Sequence, residues 1–267
     1  LGLYRAITIL SSDWLDFCEN RAIVSLVTTL REGEWQRVVS ELQGRWPGQT
    51  ALVVGGGPSG KDWRTLKRKL KPDILIGVNG VVQEAGQELD FWVTMECGSV
   101  LHAPWVKDRR AKRRIYNFKI KEAIGDTAPE AYYVARVEAH PGFLLKDYGL
   151  GLIMGHFDHA LKEWPTSTSL QAFHLACVLG CRNVHTVGIE LSVGPDQPHH
   201  WYRNQPIGHC VPGYEVPAAS RLREFHGVQT TEVWISLARW WRNKIRPMCD
   251  QEGIRWIEHS GGLWDLI

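Results

Sequence analysis

The sequence predicts an α/β fold, a mostly parallel sheet flanked by helices with a helical N-terminal extension, and three stretches carry that expectation. An apolar run, residues 51–54, enters Gly55-Gly56-Gly57-Pro58-Ser59-Gly60, then a basic helix, then a second apolar run, residues 74–78, that stops at Asn79-Gly80. Thr166-Ser167-Thr168-Ser169 opens a helix with apolar Leu170, Phe173, Ala176, Cys177 and Leu179, Gly180 closes it, and residues 184–188 follow as a strand. Residues 230–248 place Val233, Trp234, Leu237, Trp240, Trp241 and Ile245 on one side of a long helix, ahead of a last strand at 254–257. Short apolar runs bounded by turn residues and separated by helical stretches read as buried parallel strands with crossover helices. The arrangement is Rossmann-like.

Taken in order, residues 1–48 form the helical extension and 49–267 the Rossmann-like domain. Asp13 opens a helix carrying Trp14 and Phe17; Ile23, Val24, Leu26 and Val27 follow, and Trp35, Val38, Val39 and Leu42 repeat at helical spacing. Residues 44–49, with Pro47-Gly48, are a stop signal. The extension packs on the sheet or on a partner subunit, which allows a homo-oligomer. After a short helix at 80–89, residues 90–96 form a strand ending in Glu96, and strands at 114–118 and 131–135 lie in a segment rich in loops.

Composition sets broad limits. The chain has 267 residues, 44% hydrophobic and 22% charged, which suits one α/β domain with a sizeable core. No apolar stretch reaches the roughly 18 residues of a membrane span. The six cysteines form no C-x-x-C pair, so reduced thiols in a cytoplasm are expected. Net charge is +2, but residues 61–71 and 107–114 each hold six basic side chains against one Asp. Such runs are usually solvated faces; near a ligand edge they also attract phosphates or nucleic acid. Of the thirteen Trp, those at 63, 105, 201 and 264 lie near loops and can stack on sugars or bases, although core packing is the plainer reading.

The chemistry concentrates at predicted strand ends. Gly55, Gly56, Gly57, Pro58 and Ser59 make a turn whose amides and following helix favour an anion, most often a nucleotide phosphate, with Ser59 and Asp62 placed as a cap. The letters also match the dinucleotide fingerprint G-x-G-x-x-G, but Asn79 stands where that fold wants an acid, and Pro58 interrupts the turn. A glycine turn with no ligand is the simpler alternative. Glu96 points to the same edge and suits ribose hydroxyls, a metal or a substrate amine; a surface acid is the plain reading. The hydroxyls of Thr166, Ser167, Thr168 and Ser169 cap their helix or join its amides around a nucleotide. Gly188-Ile189-Glu190 ends a strand, and a polar loop follows with His199, His200, Trp201, Tyr202, Arg203 and, later, Ile207-Gly208-His209, so that Glu190, Tyr202 and His209 are the catalytic candidates. Imidazole takes a proton from an acceptor hydroxyl near neutral pH, while Tyr and Arg stabilise a leaving phosphate. His156 and His159 supply too few ligands for a metal.

This pattern resembles the bacterial sialyltransferases of the Cst type and the wider superfamily that includes flagellin glycosyltransferases of the motility-accessory (Maf) type, phage proteins and an archaeal hydroxymethyl-dihydropterin pyrophosphokinase. The resemblance runs from about residue 50 to the end and rests on the order of the glycine loop, Asn79, the Thr/Ser-opened helix, Gly188-Ile189-Glu190 and Ile207-Gly208-His209. It implies a variant nucleotide-sugar glycosyltransferase fold in which Gly55 to Ser59 hold the phosphates, Asn79 and Gly188 contact the nucleotide, and Thr168 and Ser169 sit near base or ribose. His209 would be the general base, and a CMP-activated nonulosonic acid would be transferred with inversion. The family's tyrosine after Gly-Ile-Asp is replaced here by Leu191-Ser192, and Tyr202 is the candidate phenol. No cofactor is required on that reading. In the pterin-kinase branch, Glu96 and Glu190 would hold Mg²⁺ on a pyrophosphate.

Three readings follow. A glycosyltransferase needs a nucleotide-sugar donor and a glycan, protein or nucleic-acid acceptor. A pyrophosphokinase needs ATP and Mg²⁺. A nucleic-acid-binding protein relies on the basic runs and weakens steeply with salt.

Overall fold

The computed structural model describes residues 40–94, 104–117, 125–134, 136–137, 152–153, 167–192 and 222–266. Glu96, His156, His159, His199, His200, Trp201, Tyr202 and His209 lie outside them, as do residues 1–39 of the predicted extension.

Seven strands form one sheet: β1 (Thr50–Val54), β2 (Ile74–Val78), β3 (Phe91–Thr94), β4 (Arg113–Asn117), β5 (Ala131–Val134), β8 (Asn183–Val187) and β11 (Arg255–Glu258). Their order is β11-β8-β1-β2-β3-β4-β5, and every neighbouring pair is parallel. Two short pairs stand apart: β6 (Arg136–Val137) beside β7 (Leu152–Ile153), and the hairpin of β9 (Arg223–Phe225) and β10 (Val228–Thr230). The hairpin turn, His226-Gly227, has both φ values positive, as a two-residue turn between right-twisted strands requires.

Helices cover both faces, so the central strands bury both sides and read as unbroken apolar runs. Leu52 and Val54 pack with Leu75 and Trp92 toward α1 (Trp63–Leu70) and α2 (Val82–Ala85). Ala51, Val53, Ile76 and Val93 pack on the other side with α3 (Thr168–Leu179) and with α4 (Glu232–Trp240) and α5 (Arg246–Glu252). The last two form one rod joined by a π-helical turn, Trp241–Ile245. Pro247 accounts for that widening: it has no N–H, and its ring crowds the carbonyl of Asn243, four residues back. Leu42 and Trp46 join the same core as α3, so the 40–48 segment packs directly on the domain.

Several loop-side tryptophans are structural. Trp63 is fully buried under Arg64 and Lys67, and Trp92 meets Trp105 and Tyr116 edge to face. Trp264 packs on Trp241 and Trp256. The 107–114 basic run is consumed largely by acids: Arg110 pairs with Asp108, Lys112 with Asp90, and Arg109 and Arg114 with buried Asp126. In the 61–71 run, Arg64 and Lys67 share Glu88.

At the β8–β11 edge, His185 Nδ1 and His259 Nε2 are 2.8 Å apart with the rings stacked. Burial pushes His185 down to about 4, with His259 and Arg255 adding to the effect; burial and then Lys69 lower His259. Both rings are therefore neutral in the fold at a pH where the unfolded chain protonates them. Stability falls as pH drops from about 6.5 to about 4, by roughly 1–2 kcal/mol for the partly exposed pair. Urea denaturation at stepped pH should show this slope, and His185→Gln should flatten it.

Candidate functional site

The strand order reverses at β1. From β1 the chain runs outward through β2, β3, β4 and β5, then returns to the other flank of β1 as β8 and β11. The carboxyl ends of β1 and β8 thus flank the switch point, where open α/β sheets bind ligands. Gly55 and Gly188 are the first residues beyond those two strands.

Helix α3 supplies the second wall. Ser167 caps it, its Oγ accepting the Ser169 N–H at 3.1 Å, and Gly180 ends it at φ 99°. The signals read from the sequence at both ends therefore act as expected. Backbone N–H groups of Gly44, Trp46 and Gly48, just ahead of β1, donate to the carbonyls of Val178, Leu179 and Gly180. The C-terminal end of α3 therefore lies at the amino edge of the sheet. Its twelve residues span about 18 Å, which brings its N-terminus to the carboxyl edge.

Two buried side chains at that end carry polar atoms that no described residue meets. Among the described residues Thr168 Oγ1 and Gln171 Oε1 have no hydrogen-bond partner, although the residues are 5% and 1% exposed. They stand three positions apart, on one side of the helix. Buried polar atoms are nearly always paired, and leaving one unpaired costs about 1–3 kcal/mol. Gln171 carried no motif in the sequence; its only signal was an amide among apolar positions. Thr94, fully buried at the end of β3, also has an unpartnered Oγ1, but its register places it on the opposite face from Val93.

Asn79 follows β2 in the left-handed region at φ 49°, and its backbone carbonyl accepts the Trp92 indole N–H at 2.7 Å. Asn tolerates that conformation better than most residues. The amide side chain thus suits the sharp turn as well as a nucleotide, while the acid of a dinucleotide site is missing from this strand end.

The glycine turn is built differently from a simple phosphate cradle. The Gly55 N–H donates to the Val187 carbonyl at 2.7 Å and the Gly57 N–H to the Gly188 carbonyl at 2.8 Å. Ser59 does not cap the following helix. Its Oγ accepts the Gly188 N–H at 2.9 Å, and its own N–H donates to Glu190 Oε1. Asp62 precedes α1 without a side-chain capping bond. The Gly56 N–H makes no hydrogen bond among the described residues.

Glu190 is 7% exposed, and its Oε2 is unpartnered. Burial raises its pKa, opposed by the bonds from Ser59. Glu258, at the end of β11, is also raised by burial and by the nearby Glu190 charge, although the Ser260 and Gly261 N–H groups donate to its two oxygens at 2.5 and 3.1 Å. The Ser260-Gly261-Gly262 turn braces this corner: Ser260 Oγ accepts the Ile189 N–H, and the Leu263 N–H donates to the Glu190 carbonyl.

No family model and no curated protein matches the chain. A solved structure, the MAf glycosyltransferase from Magnetospirillum magneticum AMB-1, is similar over 87% of this chain at 16% identity, with a TM-score of 0.48. The chain spans 37% of that protein's length.

The structure brings Gly55, Gly56, Gly57, Pro58, Ser59, Gly188 and Glu190 together at the switch point and sets Thr168 and Ser169 at the same sheet edge. Among the described residues no three His, Cys, Asp or Glu side chains converge as a metal site, and Glu96, the expected partner of Glu190 for Mg²⁺, lies outside them. No helix among the described residues is long and apolar enough to cross a membrane.

Proposed function

We propose that this chain is a glycosyltransferase that moves a sugar from a nucleotide-activated donor, of the CMP-nonulosonic acid kind, to an acceptor hydroxyl with inversion. One observation carries the nucleotide part: Thr168 Oγ1 and Gln171 Oε1, buried and unpartnered, at the N-terminus of α3 on the ligand-binding edge of a parallel sheet. Base or ribose groups satisfy those atoms. The donor phosphate sits on the helix end and the open Gly56 amide, where partial positive charge gathers. Asn79, Ser169 and Gly188 line the nucleotide.

The transfer itself is assigned to residues beyond those described. The acceptor oxygen attacks the anomeric carbon as the bond to the CMP phosphate breaks, His209 takes the hydroxyl proton, and Tyr202 donates a hydrogen bond to the departing phosphate. The His209 role rests on the resemblance of the Ile207-Gly208-His209 motif, and Tyr202 is the candidate for the phenol that the family carries after Gly-Ile-Asp. Positioning and hydrogen bonding suffice for such chemistry, so no metal is assigned. The free thiols of Cys177, Cys181 and Cys249 accord with a cytoplasmic setting.

Thr168→Val tests the site with opposite signs in two measurements. Replacing a buried, unpartnered hydroxyl by a methyl should raise the stability of the ligand-free protein by about 1 kcal/mol, while CMP affinity falls by about tenfold. Thermal shifts with CMP, UDP, GDP, ADP and ATP, each with and without Mg²⁺, decide the donor class. Stabilisation by CMP without metal supports the proposal. Stabilisation by ATP with Mg²⁺ alone would replace it with pyrophosphoryl transfer.

A further inference from the structure

A carboxylate already occupies the place in the glycine turn that an anion would take. Glu190 Oε1 receives the Ser59 N–H, and the rest of the carboxylate lies over Gly57, where a Cβ would collide with Oε2. The side chain is not a chance visitor. Its backbone carbonyl is held by the Leu263 N–H at 3.0 Å, Gly262 packs so closely that a Cβ there would come within 2.9 Å of the Glu190 Cβ, and the residue is 93% buried. The Gly57 and Ser59 amides, which a phosphate would otherwise collect, are both spent inside the protein. A second anion brought to this turn would meet a buried carboxylate at short range, with little water to screen the repulsion.

We infer that Glu190 is a specificity-determining residue: its carboxylate fills the anion position of the glycine turn and excludes polyphosphate ligands from it. A donor linked through a single phosphate needs only the Gly56 amide and the α3 end, whereas a second phosphate in line with the first runs into Glu190. The exclusion of a second phosphate from the Gly57 and Ser59 amides stands apart from the sugar-transfer reading, since it concerns an anion and two amides and no acceptor.

The probe is inorganic pyrophosphate, without nucleotide or metal, titrated calorimetrically into wild type, Glu190→Ala and Glu190→Gln. Wild type should bind it weakly. Glu190→Ala frees the Ser59 amide and removes the charge, and should bind about tenfold more tightly or better. Glu190→Gln still offers an oxygen to the Ser59 N–H and should gain less than the alanine variant. An alanine variant that binds no tighter than wild type overturns the inference. Should neither variant fold, amide exchange and NMR shifts on the wild-type protein decide it. A Ser59 N–H that is protected and unmoved by pyrophosphate supports the exclusion; Gly57 and Ser59 signals that move on titration overturn it. CMP binding in the same samples reads the nucleotide site separately, so failure of one result is distinguishable from failure of the other.

Discussion

Gly55→Ala should lower stability by about 3 kcal/mol or more, among the largest effects expected of a single methyl group. The reason is a backbone contact. A Cβ on Gly55 would fall on the carbonyl of Gly188, and a Cβ on Gly188 would lie 2.5 Å from the carbonyl oxygen of Gly55. Neither neighbour is a flexible side chain that swings aside. The two glycines let β1 and β8 approach at the switch point, and the Gly55 and Gly57 N–H bonds to Val187 and Gly188 close the seam. Accommodating the methyl separates the strands, breaks those bonds and displaces Glu190 from the turn. Gly44→Ala is the control. Unlike Gly55, Gly44 has positive φ, 65°, but nothing lies within 4 Å of its Cβ position, so its cost is the conformational strain alone, about 1 kcal/mol. Urea midpoints of the two variants measure the difference. Equal values would show that the seam opens without cost.

Asp126→Ala should cost about 3–5 kcal/mol, because it strands a buried cation. Arg114, 5% exposed, donates to Asp126 from Nε at 2.7 Å; Arg109 Nε lies at 3.2 Å, and the Tyr116 hydroxyl donates at 3.0 Å. Burial works to raise the Asp126 pKa, yet the bonds from Arg114, Tyr116 and the Ala128 N–H together hold it below the ordinary carboxylate value. A depressed folded-state pKa means that this stabilisation is present above the unfolded value, about 4, and is lost as pH falls through the folded one. Asp126→Ala should therefore flatten the acid limb of the stability profile as well as lower its plateau. Adding Arg114→Met, which removes the stranded charge, should recover part of the loss. If the double variant were no better than Asp126→Ala, packing rather than charge would account for the cost.

The strands of the seven-stranded sheet and the helices beside it were legible because they carried local signals, whereas the β9–β10 hairpin and the β6–β7 pair were not read from the sequence. Apolar runs bounded by Gly, Pro and Asn marked β1 and β2 to within one residue, and Ser167 and Gly180 bracketed α3 by capping chemistry that acts over three or four positions. The tryptophans on the α4–α5 rod followed from helical spacing, whereas the burial of Trp63 and Trp105, the plainer reading of both, rested only on the general preference of Trp for cores. The capping role expected of Ser59 failed. Its hydroxyl had a nearby helix to cap but found the Gly188 amide, 129 residues away in the chain, to be the better-placed partner.

By itself the sequence determined the described strands of the main sheet, the helices beside them, and the strand-end positions of Gly55, Asn79, Gly188 and Glu190, because propensity, capping and periodicity act over a few neighbouring residues. Tertiary structure alone decided the strand order, the meeting of Gly55 with Gly188, the opposed faces of Thr94 and Val93 relative to α3, and the seat of Glu190 in a turn 131 residues distant. Those outcomes depend on which strand pairs with β1. That choice is set by packing two helical layers onto one sheet, a competition among long-range contacts that no local stretch of chain encodes.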